Sequence, residues 1–168
     1  RIKHQGARRW FTFRPLGNKI TSTQPRRRLT QGLNMMDIYR ETKGIIHKLD
    51  EIEPHVWIHM VAPTEEELQK VSKRTGLDLD FLKAALDEEE RSRLEVDEGQ
   101  ALILINIPIM RSKLVYVTLP LGIIIGQDYI VTVCIENIHL IQELLQRSKV
   151  HTGKKNRLLL QILYQTAI

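Results

Sequence analysis

Cysteine is nearly absent from this chain: Cys134 stands alone among 168 residues. A single thiol excludes an internal disulfide framework, fits a reducing compartment and gives no basis for a cysteine-rich zinc site. Aromatic residues are also scarce, at 5%, so the core has to be built from Leu, Ile and Val. Long apolar runs are missing too. The segment "ALILINIPIM" falls far short of the roughly 18 residues that a membrane-spanning helix needs. The N-terminus carries no apolar stretch of the secretory type. The chain as given therefore reads as a soluble piece, long enough for one domain with a proper core.

Acidic residues are missing from one place in particular. Residues 1–34 hold nine Lys and Arg and no Asp or Glu. Of the 25 basic residues sixteen remain for positions 35–168, against 20 acidic ones, a net of −4. The overall charge of +5 is thus a property of the tail, and the globular part is mildly acidic. The tail contains two prolines, three glycines and the block Arg26-Arg27-Arg28, with no periodicity beyond "RWFTF". Such a segment buries too little to offset the entropy of ordering it. Residues 1–34 read as an unstructured basic extension, an upstream leader or an addition made for expression. The functional alternative is a nucleic-acid- or anionic-lipid-binding arm with Trp10, Phe11 and Phe13 as stacking or wedge residues. Ordinary globular sequence starts at Met35-Met36, and residues 35–168 are taken as the domain.

Two strand-like runs come first. "GIIHKLD" is short and suits a sheet edge. "HVWIHMVAP" alternates Val56, Ile58 and Met60 against Trp57, His59 and Val61 until Pro63 ends it. A helix follows, with Thr64 as N-cap, Glu67 completing a capping box and Gly76 closing it in a Schellman pattern with Leu77. A short helix, "DLDFLKAAL", places Leu79, Leu82 and Leu86 on one face behind Asp78 or Asp80. Then the period changes to that of a strand. "RLEV", "QALILINIPIM", "KLVYVTLPLGIIIG" and "DYIVTVC" succeed one another through turns at Asp97–Gly99, Arg111–Lys113 and Gly126–Asp128. The apolar runs Ala101–Ile109 and Ile123–Ile125 predict strands covered on both faces. Two helical segments, "NIHLIQELLQRSK" and "GKKNRLLLQILYQTAI", close the chain, the second still helical at its last residue, as a truncated one would be. The expected fold class is α/β with α+β character: a mixed, largely antiparallel sheet sandwiched between helices.

Few constellations carry chemistry. His55 and His59, on one strand, would stand roughly 13 Å apart at about 3.3 Å per residue, too far for one zinc ion. "SKVHTGKKNR" has Ser148 where a phosphate loop needs its first glycine and Lys155 where it needs Ser or Thr. Gly122 and Gly126 lack dinucleotide-loop spacing and suggest a bulge between strands. Cys134 sits in an apolar strand as a small hydrophobe. No catalytic set assembles, and a non-enzymatic protein is expected. What remains is "ALDEEERSRLE", residues 85–95. Asp87, Glu88 and Glu90 are the candidate ligands for a hard divalent cation, and Glu95 could pair with one of them as acid and base. The competing reading makes Asp87 the cap of a new turn with Glu90 in the N3 role, Arg91 and Arg93 neutralising their neighbours.

The order of several of these features resembles the cytosolic N-terminal domain of the CorA-type magnesium/cobalt transporters. Trp57, Ile58, Pro63, Thr64, Gly76, Leu77, Asp87, Arg91, Arg93, Glu95, Gly126, Asp128, Tyr129, Thr132 and Val133 match its pattern, over roughly residues 44–168. The resemblance implies an α/β sandwich that serves as the regulatory and assembly domain of a magnesium transporter, with cobalt or nickel as further cargo. It implies a homo-oligomer, a pentamer in the full-length form, attached to the membrane by C-terminal spans that lie outside this chain. The location implied is the cytoplasmic face of the cell membrane, and nucleic acid is not an expected partner. Two positions depart from the pattern. His59 replaces an aspartate, and Lys83-Ala84 replaces the acidic pair that the resemblance would make a regulatory metal site. A lysine there would repel the cation.

Overall fold

Seven strands lie side by side in one mixed sheet, in the order β2-β1-β3-β7-β6-β5-β4. The computed structural model describes residues 35–112, 115–147 and 150–167. Reading along the chain, β1 (Met35–Thr42), β2 (Ile45–Leu49) and β3 (Trp57–Val61) precede α1 (Glu65–Thr75) and α2 (Leu79–Ala84). Next come β4 (Arg93–Asp97), β5 (Gln100–Ser112), β6 (Val115–Ile125) and β7 (Ile130–Cys134), then α3 (His139–Arg147) and α4 (Lys155–Thr166). Only β3 and β7 run parallel; every other neighbouring pair is antiparallel. The expected class, a largely antiparallel mixed sheet between helices, is the fold found.

The two faces of the sheet follow from alternation. Val56, Ile58 and Met60 of the β3 region join Leu102, Leu104, Ile124, Val131 and Val133 beneath α1 and α2. Trp57 and Val61 turn the other way and meet Leu121, Ile123, Ile130 and Cys134 beneath α3 and α4. Every residue of β3 and β7 is buried, because central strands covered on both faces have no solvated side.

Local chemistry sets the boundaries. Thr64 accepts from the Glu67 backbone at 3.2 Å while Glu67 Oε2 accepts from the Thr64 N–H at 2.7 Å, which is the expected capping box. Thr64→Ala removes one half of it and should cost about 1 kcal/mol, read as a melting temperature lower by roughly 2–4 °C; an unchanged melting temperature would show that the cap is redundant. At the other end Gly76 takes the left-handed conformation at φ 73° and its N–H bonds to Ser72 O. The close is the simpler αL form rather than the Schellman form expected, since the Leu77 N–H goes to Thr75 Oγ1 at 3.3 Å. Asp78 caps α2 by accepting from the Asp80 N–H.

Three expectations need correction. β1 is absent from the sequence reading, because Asp37 on an inward-facing position breaks its apolar alternation. Of the turn read at Arg111–Lys113, Arg111 and Ser112 are still in β5, past a register irregularity after Met110, and Lys113 lies outside the described residues. Gly122 stands inside β6 and marks no bulge; a Cβ there would lie 2.8 Å from Ala85 Cβ, so the glycine permits α2 to approach the sheet. The readings made of residues 1–34 lie outside the described residues. Among the described residues no helix is long and apolar enough to cross a membrane.

Candidate functional site

The acidic joint between α2 and β4 is a single turn. Asp87 Oδ1 accepts from the Glu89 N–H at 2.9 Å, and Asp87 O accepts from the Glu90 N–H at 3.2 Å. Asp87 therefore caps a turn, as expected. Glu90 pairs with Arg93 at 2.7 Å, and Arg93 Nε donates to Glu95 at 3.1 Å. The Arg93 bond holds the Glu90 carboxyl below the usual range. The hydrogen bonds it donates to Glu90 and then to Glu95 raise the Arg93 guanidinium correspondingly. Arg93 does the neutralising that was divided between Arg91 and Arg93 in the sequence reading. Asp87, Glu88 and Glu89 are exposed.

A hard divalent cation binds through several convergent oxygens. One Asp87 oxygen is committed to a backbone N–H, Glu90 and Glu95 to a guanidinium. Among the described residues no three His, Cys, Asp or Glu side chains converge for a metal. The neighbouring helix adds a cation of its own. Lys83 Nζ lies 2.8 Å from Glu65 Oε1, bridging α2 to the first turn of α1. That bond, then one from Gln69, depresses the exposed Glu65 carboxyl. Asp87→Asn should leave the melting temperature within about 1 °C of the parent at millimolar magnesium, because stabilisation follows site occupancy. A large magnesium-dependent shift that vanished in this variant would restore the joint as a metal site.

A groove of about 640 Å³ opens elsewhere, between α1 and the segment joining β2 to β3. Met36, Ile38 and Ile52 form its floor; Lys70 and Lys73 stand near Glu51 and Glu66 around its rim. Such mixed charge favours no single class of ligand.

The other polar cluster was not read from the sequence. Trp57 Nε1–H donates to Thr132 Oγ1 at 2.9 Å, and His59 Nδ1 lies 2.9 Å from the same oxygen. With Trp57 as donor, the Thr132 hydroxyl can either donate to His59 Nδ1 or accept from it, and the other ring nitrogen is Nε2. That atom is buried and has no partner among the described residues. His59 is 2% exposed, and burial pushes its pKa down to about 4 against a smaller opposing effect of Asp37. Asp37 is the cross-strand partner of His59. Its carboxylate accepts from Tyr39 Oη at 2.8 Å and pairs with Lys48. Burial first, and Asp37 second, push the Tyr39 phenol well above its usual range. The signal available beforehand was weak: Trp57 and His59 share a strand face, but their partner Thr132 lies 73 residues beyond His59. His55, expected on the same strand, instead precedes it in a left-handed turn at φ 64° and faces Asp128 at 3.7 Å.

Together the sandwich and its surface acids define an α/β/α domain whose polar groups serve turns, helix ends and strand pairing. Residues 53–167 match the family described as CorA-like Mg2+ transporter protein. The cobalt/magnesium transport protein CorA of Methanocaldococcus jannaschii is 34% identical over 133 residues, which is 77% of this chain and 40% of that protein. The structure of the soluble domain of the same organism's CorA superposes with a TM-score of 0.65 at 28% identity, covering 80% of this chain and 57% of that one. Its complete structure gives 0.64 at 29% identity, over 79% of this chain and 44% of that one. The chain belongs to the CorA-like Mg2+ transporter family, and it spans less than half the length of the full relative.

Proposed function

We propose that this chain is the cytosolic regulatory and assembly part of a divalent-cation transporter, with magnesium as the principal cargo. Cobalt or nickel would be further cargo, as the name of the M. jannaschii relative gives magnesium and cobalt. The observation that carries the reading is the superposition on a CorA soluble domain across 80% of this chain. The work of such a domain is non-catalytic: it holds neighbouring copies in register, as a pentamer, at the cytoplasmic face of a membrane that other parts of the protein cross. The acidic turn and Lys83 bear on regulation. Because the Lys83 ammonium already bridges α1 and α2, closure by a metal bound at α2 is not part of the proposal.

A chimera tests this. Residues 35–168 replace the matched region of the M. jannaschii relative, and magnesium uptake is measured in cells that depend on it. Uptake above the empty-vector level supports the reading. A chimera that inserts and stays folded but carries no magnesium would sink it.

A further inference from the structure

Among the described residues one edge of the sheet is left open in a way that suits a second copy of the same chain. β4 pairs on one side with β5, and it is the terminal strand of the sheet. All five of its residues are exposed. The hairpin to β5 turns through Glu98 and Gly99, both at positive φ (44° and 78°), so Asp97 and Gln100 form the closing hydrogen-bonded pair. Bonding then alternates, and Arg93, Glu95 and Asp97 point their backbone groups at β5. Leu94 and Val96 point theirs outward. Their side chains, 68% and 67% exposed, lie opposite Ile103 and Ala101, on the face that carries α3 and α4. Free strand edges invite pairing, and proteins blunt them with short strands, charged side chains, proline or a bulge. Here the charges are of both signs and are arranged symmetrically.

We propose that two copies of this chain pair through β4, antiparallel about a two-fold axis at Glu95. In that register Arg93 faces Asp97 of the other copy, and Asp97 faces Arg93. Leu94 faces Val96, also twice. The outward backbone groups of Leu94 and Val96 become the hydrogen-bonded pairs, four bonds in all. Only Glu95 meets its own copy, and each Glu95 already holds its Arg93 at 3.1 Å. A register centred on Leu94 would oppose charges equally well, but would leave Asp97 unpaired and Val96 outside the strand-to-strand match. The opposite edge does not offer the same fit. Two β2 strands paired about His47 would set Lys48 against Ile46 and His47 against itself. The β4 contact is two-fold and closed, unlike the repeating contact of a ring. It does not rest on the transporter reading.

Five residues a side make a small interface, so the pair is weak and transient. Sedimentation equilibrium of the full chain, from roughly 5 to 500 µM to suit such an interface, should show a monomer–dimer equilibrium. Val96→Pro removes an outward N–H without touching the β5 ladder, and should weaken association at least ten-fold. Arg93→Asp and Asp97→Arg should each do the same alone. Mixed together, those two variants should recover most of it, since each altered position then faces an opposite charge. A merely structural role of either residue would not produce that recovery. A wild-type chain monomeric throughout overturns the proposal. So does a mixture no better than its components, or growth of open polymers through β2 and β4. Concentration-independent hydrogen-exchange protection of the Leu94 and Val96 amides in the monomer would overturn it as well, by showing the edge covered by the chain itself.

Discussion

Lowering the pH from 7 to 4 should remove about 3 kcal/mol of folding stability through His59 alone. The folded-state pKa of this histidine is lowered from 6.5 to about 4, and burial is the main cause. Between those two values the unfolded chain binds a proton at His59 that the folded chain refuses. Stability on this account is complete above about pH 6.5, falls as the pH drops towards 4, and changes no further below that. His59 is 2% exposed beside Trp57 and Thr132, away from the bulk water that would solvate an imidazolium. In urea unfolding the midpoint should fall by roughly 1–2 M across this range. His59→Gln, which can still bond Thr132, should abolish most of that slope. A variant with the wild-type slope would show that the proton goes elsewhere and that burial of His59 is not what excludes it.

The second large effect is expected at Gly122. A methyl group there would sit 2.8 Å from Ala85 Cβ, at the end of α2. Neither partner is a rotatable tip, so α2 has to move off β6, and overpacking of this kind costs about 1–3 kcal/mol. Gly122→Ala should lower the melting temperature by roughly 2–12 °C. Ala85→Gly in the same chain should return much of the loss, a favourable coupling between contacting sites. Gly126→Ala makes an instructive contrast. Its added methyl meets Leu77 Cδ2 at 2.6 Å, but that atom is the end of a side chain that can turn away, so a smaller loss is expected. Equal losses at both glycines, or no recovery with Ala85→Gly, would show that α2 is not held by close approach. The contact also bears on function in the transporter reading, because α2 carries Lys83.

The departure at Lys83 was legible as a substitution but not as a bond. In the sequence it was a positive charge at a place where the resemblance suggested acids. In the fold it is a partner of Glu65, eighteen positions earlier and on another helix. Exposed pairs of this kind contribute little to stability. The consequence is instead electrostatic: a cation near that corner would meet an ammonium before it met a free carboxylate.

The sequence by itself determined whatever depends on neighbours along the chain. Alternation through Val56–Val61 divided those residues correctly between two cores. The Thr64–Glu67 box, Asp78 and Gly99 placed their caps and turns, because each acts over two to four residues. The ordered series of weak motifs from Trp57 to Val133 was enough to suggest the family. Tertiary structure alone decided the rest. Asp37 interrupts the apolar residues of β1, and only the fold shows that Tyr39 and Lys48 satisfy it. His59 reads as one more histidine until β7 brings Thr132 beside it. The acids of residues 87–95 read either as a capped joint or as cation ligands, and the fold adds the partners that spacing could not give: Arg93 for Glu90 and Glu95, a backbone N–H for Asp87. In each case the deciding partner is supplied by folding, or by a turn that only the backbone path defines. Carboxylate and imidazole chemistry depends on such partners far more than on the residue type.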